Sequence, residues 1–308
     1  VSLIRYTECI AALCAAEEFS SIKVRDEELS ELSKLKRNCC RVKVPATGND
    51  GEAKANVLLQ VHISCQRVQS FTLSSDLMYV AKNAGRVSRA LFEIALKNQW
   101  PVTTARFLRL TMAIDRQLWW SDSALRQFRA VKPSIIGILE SKHMSLNKLR
   151  DTTASDIGSF VRYPLMGNTI KSCVDRMPNL YIDASIQPIT RRILRVTLHI
   201  EVDFEWVVKI HGQTQSWYIW IEDPENDCIY HSEHLTIERK SVRDGPQTMA
   251  FTIPIGEPLP VQCVNNTLVL FRCKERLTCC FIVCSCKVSG PSDQRSMDGS
   301  RKYCPGFL

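Results

Sequence analysis

From residue 11 to residue 35 the apolar positions recur at the three-and-four spacing of a helix face, interrupted over residues 19–26, which predicts two helices joined by a short extended piece. Residues 45–54 carry Gly48, Asn49, Asp50 and Gly51 and little apolar surface, which predicts a loop. A helix is predicted over 56–64. Ser74 and Ser75 are suitable N-caps for the longest periodic segment, 76–99, which ends before Pro101 because the residue ahead of a proline is pushed out of helical geometry. One more helix is predicted over 101–118. Within 76–99, Leu77, Val80, Ala84, Val87, Leu91, Ile94 and Ala95 fall on one stripe, while Tyr79, Lys82, Asn83, Arg86, Arg89, Glu93 and Lys97 take the other side. The apolar stripe is expected to pack and the polar side to be free. At the rise of an α-helix such a segment is about 35 Å long, enough to run beneath a whole domain.

Four short helices, 133–141, 145–150, 155–161 and 168–175, are separated by turns and predict a compact helix-loop-helix unit. From residue 184 the period changes from helical to alternating. Leu194, Val196, Leu198, Ile200, Val202, Phe204 and Trp206 alternate with polar residues, the pattern of a half-buried strand. Further strands are predicted over 217–222, 228–237 and 247–255, joined by turns, which points to an antiparallel sandwich.

A chain of 308 residues can hold two or three domains, and its 45% hydrophobic and 23% charged content is that of an ordinary globular protein. The formal charge of +8 favours phosphate backbones without requiring them. Residues 1–16 show no signal peptide, and the start without methionine suggests a fragment. The apolar run 277–288 is too short for a membrane-spanning helix. Seven of the fourteen cysteines (9, 14, 39, 40, 65, 173 and 228) lie in ordinary helix and strand patterns and are expected to be reduced thiols.

No Gly-Lys-Ser/Thr phosphate loop occurs, so the chain is not expected to hydrolyse nucleotides by itself, and the zinc-protease, serine-hydrolase and thiol-redox signatures are missing too. The amides near Gly167 and Asn168 open a predicted helix and form a secondary phosphate candidate. Trp206, Trp217, Trp220 and Tyr218 are expected to be sandwich core or a docking face. His231 and His234 fall on opposite sides of a strand, which argues against a metal site with Glu233. Cys273, Cys279, Cys280, Cys284 and Cys286 lack the paired spacing of a zinc site.

Several strings carry a resemblance: Phe19-Ser-Ser-Ile-Lys-Val-Arg-Asp-Glu-Glu28, Asn56-Val-Leu-Leu-Gln60, Ser75-Asp-Leu-Met-Tyr-Val-Ala-Lys-Asn-Ala84, Arg89-Ala-Leu-Phe-Glu-Ile-Ala-Leu96, Leu125-Arg-Gln-Phe128, Ser185-Ile-Gln-Pro-Ile-Thr190 and Phe251-Thr-Ile-Pro-Ile255. From about residue 8 to residue 260 the chain resembles the Sec63 homology unit of Ski-like superfamily 2 helicases. The stretch Trp220-Ile-Glu-Asp-Pro-Glu-Asn-Asp-Cys-Ile-Tyr-His-Ser-Glu233 is most similar to the cointegrator-complex branch of that family and less so to the spliceosomal branch. The resemblance implies a unit that follows two motor domains and a winged helix and closes a ring around one strand, its longest helix acting as a ratchet. On that reading Tyr79, Lys82, Asn83, Arg86 and Arg89 face the strand, with cations on phosphates and a ring or guanidinium plane on bases.

The expected fold is α+β and multidomain: a helical bundle over 1–132 with the ratchet-like helix 76–99, a helix-loop-helix domain over 133–183, and an immunoglobulin/fibronectin-like β-sandwich over 184–262. A divergent cysteine-rich tail over 263–308 is expected to leave the sandwich short of a strand, with an exposed apolar edge. The implied function is an accessory nucleic-acid-guiding and protein-interaction module of an ATP-dependent helicase. No catalytic residue, cofactor or metal is assigned to this chain, ATP and magnesium belonging to the parent's motor domains. The implied partners are single-stranded RNA or DNA, those motor domains and other subunits of a helicase complex, without a membrane, in nucleus and cytoplasm. The rival reading is a protein-docking scaffold with no nucleic-acid role. A second, the translocon membrane protein sharing the unit, would need membrane spans and a His-Pro-Asp loop that the sequence lacks.

Overall fold

The computed structural model describes residues 5–45, 50–190, 192–223, 227–254, 266–272 and 281–286. The chain is of mixed α and β composition and divides into two compact units, Val1–Asp122 and Ser123–Leu308.

The first unit holds α1 (Tyr6–Cys14), α2 (Leu29–Cys39), α3 (Asp50–Ile63), α4 (Phe71–Lys97) and α5 (Pro101–Arg116). α3 is its centre. Ten of its fourteen residues are buried, including Leu58, Leu59, Val61 and Ile63 on several sides, so it is packed all round rather than on one stripe. A helix in that position buries polar groups, and each one is answered. Gln60 accepts from the Val42 amide and donates to the Val42 carbonyl, both at 2.9 Å, and donates to Asn56 Oδ1 at 2.9 Å.

Lys54 is the strongest case. Its ammonium, with no exposed side-chain surface, donates to Glu28 Oε2 at 2.5 Å, to Asp76 Oδ2 at 2.6 Å and to the Lys23 carbonyl at 2.9 Å. Arg25 adds a second cation to Glu28 at 2.7 Å. Burial alone would raise the Glu28 carboxyl, but hydrogen bonds from Lys54, Thr72 and Arg25 outweigh it and hold the group at about 2.

The loop expected over 45–54 is corrected over 50–54, residues 46–49 lying outside the described residues: Asp50–Lys54 belongs to α3, from which Lys54 reaches its carboxylates. The start of the long helix is corrected too, since it begins at Phe71 rather than near Asp76. The Glu31 carboxylate of α2 accepts from the Gln69 and Ser70 amides at 2.6 and 3.0 Å, an N-terminal cap supplied from another element, while Asp76 is engaged by Lys54.

α4, 27 residues and about 40 Å long, packs mainly on α5. Leu73, Val80, Ala84, Val87, Ser88, Phe92 and Ala95 are buried, and Ser88 Oγ meets Thr111 Oγ1 of α5 at 2.8 Å. Ile94, expected on the packed stripe, is instead 52% exposed, while Phe92, not on that stripe, is buried.

In the second unit α6 (Pro133–Ser141), α7 (Leu146–Asp151), α8 (Ala154–Phe160) and α9 (Pro164–Asp175) enclose Leu125, Ile136, Leu139, Leu149, Ile157, Ile170 and Val174. β1 (Leu180–Thr190), β2 (Ile193–Val202) and β5 (Gln247–Pro254) form one antiparallel sheet in the order β1-β2-β5; α10 (Val208–His211) lies between β2 and β3. β3 (Thr214–Asp223), β4 (Cys228–Glu238), β6 (Asn266–Arg272) and β7 (Phe281–Cys286) form the other, ordered β4-β3-β6-β7. Residues from both sheets meet in one cluster: Leu180, Ile182, Val196, Leu198, Ile200, Trp217, Ile219, Ile221, Ile237 and Ile253. The strand expected to run to Trp206 ends at Val202; Phe204 and Trp206 stack beyond it with centroids 5.4 Å apart. His211, fully buried, accepts the Val207 amide on Nδ1 at 2.9 Å, so its Nε2 is the donor to the Arg176 carbonyl at 2.8 Å, tying helices to sheets within this unit.

The expected loss of a strand is corrected as well. β6, from the segment read as a divergent tail, pairs with β3 from Trp217↔Arg272 to Glu222↔Thr267, and β7 pairs with β6, so β3 has a strand on each side. The run Thr-Leu-Val-Leu-Phe is β-branched and aromatic enough to extend a sheet whatever its origin. Of the clustered cysteines, 273, 279 and 280 lie outside the described residues.

Lys54→Ala leaves Glu28 as a buried, undercompensated charge and is expected to cost about 3–5 kcal/mol, read as a lower urea midpoint for the transition of this unit. Because the folded Glu28 carboxyl is depressed, its contribution is complete above the ordinary carboxylate range and is lost as pH falls from there towards about 2. An acid titration of stability should show a loss in that window that Glu28→Gln removes.

Candidate nucleic-acid interface

Helical geometry puts all five sequence-selected side chains on one half of α4, because positions 79, 82, 83, 86 and 89 advance by three and four residues. Tyr79 is 43% exposed, Lys82 and Arg86 are exposed, and Asn83 and Arg89 are half-buried. The structure gathers three of them about Glu18. Tyr79 Oη donates to the Glu18 carbonyl at 2.8 Å, Arg86 Nη2 reaches Glu18 Oε1 at 3.2 Å, and Asn83 Nδ2 donates to the Tyr79 carbonyl one turn back at 3.0 Å. Glu18 is itself fixed by a short 3-10 turn, Glu17–Phe19, whose Phe19 is buried in the bundle.

Arg89 is held apart from these by α5, its Nη2 lying 3.0 Å from Asp115 Oδ2. Gly85 makes that possible: a Cβ there would come within 2.9 Å of Asp115 Oδ1, close enough to force the carboxylate away. Among the described residues Lys82 enters no ion pair. Exposed pairs such as Arg86–Glu18 are worth about 0–1 kcal/mol, so an incoming phosphate competes with Glu18 at little cost.

Two apolar side chains share this side of the helix and were not anticipated, Phe71 at 86% and Met78 at 72% exposure. Their signal was in the sequence: Phe71, Ser75, Met78 and Lys82 follow the helical repeat once the helix is started at Phe71.

The secondary candidates resolve as packing. Gly167 lies inside α9, not at its opening, and a Cβ there would sit 1.9 Å from the Ala154 carbonyl; it is a glycine because α8 and α9 touch at that point. Trp217 and Trp220 are fully buried, Trp217 in the core shared by the two sheets. His231 pairs with Glu233 at 2.9 Å and His234 lies against Tyr218 with ring centroids 4.9 Å apart, each on its own face of β4. The seven cysteines 9, 14, 39, 40, 65, 173 and 228 are free, and burial pushes the Cys9 and Cys40 thiols up to about 11. Among the described residues no group of three or more His, Cys, Asp or Glu is arranged to hold a metal, and no helix is long and apolar enough to cross a membrane.

A helical unit with a long, half-exposed α4, followed by helices and two sheets, matches the family description "Sec63 Brl domain" over residues 4–273, and the chain belongs to that family. The match continues past Pro260 to the end of β6. Among individual relatives, the chain is 46% identical over 258 residues to activating signal cointegrator 1 complex subunit 3 of Bos taurus and 46% over 257 residues to that of Homo sapiens, covering 83% of this chain and 12% of each relative. It is 38% identical over 257 residues, with the same coverage, to the human U5 small nuclear ribonucleoprotein 200 kDa helicase, which agrees with the order of likeness read from Trp220–Glu233. The chain thus spans about an eighth of the length of these relatives. A solved Pseudomonas fluorescens alkylpurine DNA glycosylase bound to DNA aligns over 91% of this chain and 96% of its own at 11% identity and a TM-score of 0.18, a likeness too weak to inform the fold.

Since the Arg86–Glu18 pair is exposed, Arg86→Ala is expected to change the stability of the unit by less than about 1 kcal/mol in thermal unfolding. A larger loss would show that Arg86 is a packing residue rather than a side chain available to a ligand.

Proposed function

We propose that this chain is an accessory module of an ATP-dependent RNA or DNA helicase, holding a single strand along the outer side of α4 while motor domains elsewhere in the parent move it. The reading is supported by family membership, by relatives named as helicases, among them a DExH-box ATP-dependent RNA helicase of Arabidopsis thaliana, 38% identical over 257 residues, and the U5 small nuclear ribonucleoprotein 200 kDa helicase, and chiefly by one observation. α4 presents Tyr79, Lys82 and Arg86 to solvent along about two turns of a rigid rod. Lys82 and Arg86 neutralise phosphates and Tyr79 offers a ring edge for bases, which gives grip without sequence preference. Arg89 and Asn83, half-buried, position the row and add contacts where Asp115 and the Tyr79 carbonyl release them.

The proposed setting is the nucleus and cytoplasm, within a multisubunit helicase complex. ATP and magnesium are used by the parent's motors, and the chain supplies no reacting group. The two sheets, with residues of both in one core, are read as an immunoglobulin/fibronectin-like sandwich that docks neighbouring domains or subunits.

One observation favours the rival, a docking scaffold with no nucleic-acid role: both Arg86 and Arg89 already face carboxylates. Salt dependence separates the two. Fluorescence anisotropy of a labelled 20-nucleotide single strand against the 308-residue chain is expected to show weak, sequence-tolerant binding that falls between about 50 and 200 mM salt. Arg86→Glu with Arg89→Glu is expected to lower the slope of log affinity on log salt by about 1.4, about 0.7 for each phosphate of a single strand no longer neutralised. A flat salt response, or an unchanged slope in the double variant, favours docking.

A further inference from the structure

A second cationic surface lies on the first unit, on α2 and the segment that follows it. Between Glu31 and Asp50 the sequence contains no acidic residue, and Lys34, Lys36, Arg37, Arg41 and Lys43 crowd into ten positions. α2 turns Leu32, Leu35 and Cys39 into the bundle, and that leaves Lys34, Lys36 and Arg37 on its outer arc, with Arg41 and Lys43 on the segment that follows. All five are exposed.

Only Arg41 is neutralised, by Asp122 at 2.5 Å, with its guanidinium 5.6 Å above the Trp119 ring. Arg37 uses Nε on the Ser33 carbonyl of its own helix at 3.2 Å. Among the described residues Lys34, Lys36, Arg37 and Lys43 enter no ion pair. A cluster of like charges without counter-ions from its own protein repels itself, which a bound polyanion relieves.

We infer that this surface, Lys34, Lys36, Arg37 and Lys43, binds the phosphate backbone of a double-stranded nucleic acid. The absence of other chemistry selects the ligand class. Trp119 is 2% exposed and covered by Arg41, so no ring of this patch is offered for stacking, as a single-strand track requires. The exposed apolar residue of α2, Leu29, lies at the far end of the helix from Arg37, so the patch lacks the apolar centre of a protein interface. Mobile ammonium groups acting as point charges suit a phosphate ridge read for charge alone. None of these residues is on α4, so this inference and the single-strand reading can fail separately.

The test compares a labelled 20-base-pair duplex and a single strand of the same sequence on the 308-residue chain, its Lys34→Glu/Arg37→Glu/Lys43→Glu variant and the milder K34Q/R37Q/K43Q variant, with circular dichroism as a check on folding. Expected is a fall in duplex affinity of at least about tenfold in the charge-reversed variant, a smaller fall in the neutral one, and a salt slope reduced by about 2.7, about 0.9 for each duplex phosphate no longer neutralised. Single-strand binding should keep its dependence on Arg86. Duplex affinity or slope unchanged in both variants overturns the inference. So does binding of the unaltered chain to polyglutamate or to phosphatidylserine vesicles that equals or exceeds duplex binding at the same salt, since the surface would then serve an acidic protein or a membrane.

Discussion

The Lys54 ammonium has no solvent-exposed surface, and a buried ammonium persists as a charge only where carboxylates and carbonyls replace its hydration. Glu28, Asp76 and the Lys23 carbonyl do so, from two stretches of chain distant from Lys54, residues 23–28 and α4. The ion therefore fixes, in one coordination, the 3-10 turn ahead of α2, the first turns of α3 and the second turn of α4. Such a network adds little net stability over an apolar core of the same shape, yet it tolerates few alternative arrangements, since any shift strands a charge. The register of α4 is set there, and with it the identity of the side chains that α4 turns outward.

The outer side of α4 is organised on the opposite electrostatic principle. The Arg86–Glu18 pair is weak by virtue of exposure, while Arg89–Asp115 is half-buried. They hold the guanidinium groups in place without committing them. The inner network is strong because water is excluded and the outer one is exchangeable because water is present. One helix thus carries a buried, fixed face and an exposed polar one.

The second unit gets its order from alternation instead. β2 buries Leu194, Val196, Leu198 and Ile200 and exposes the residues between, and the facing sheet returns Trp217, Ile219 and Ile221. One-residue register errors would turn every one of these outward, so the hydrophobic pattern alone specifies the pairing strongly. β6 and β7 then continue from β3, which makes β3 an inner strand of its sheet.

What the sequence by itself determined was periodicity and its consequences: the long amphipathic helix, the change to alternation near residue 184, the buried tryptophans and the family, all readable because each depends on near neighbours in the chain. What only the tertiary structure decided were the features made by distant residues. The first turns of α3 look like a loop from Gly48 to Gly51 because the stabilising partner of Lys54 is 26 positions earlier. α4 starts at Phe71 because its cap is Glu31, 38 residues before Gln69. Ile94 is exposed and Phe92 buried because tertiary packing, which local periodicity does not report, chooses which apolar residue is covered. Glu18 and Asp115 become the partners of Arg86 and Arg89 only when the chain folds. Local pattern encodes which face is buried; long-range charge and packing encode where an element begins and what its exposed face touches.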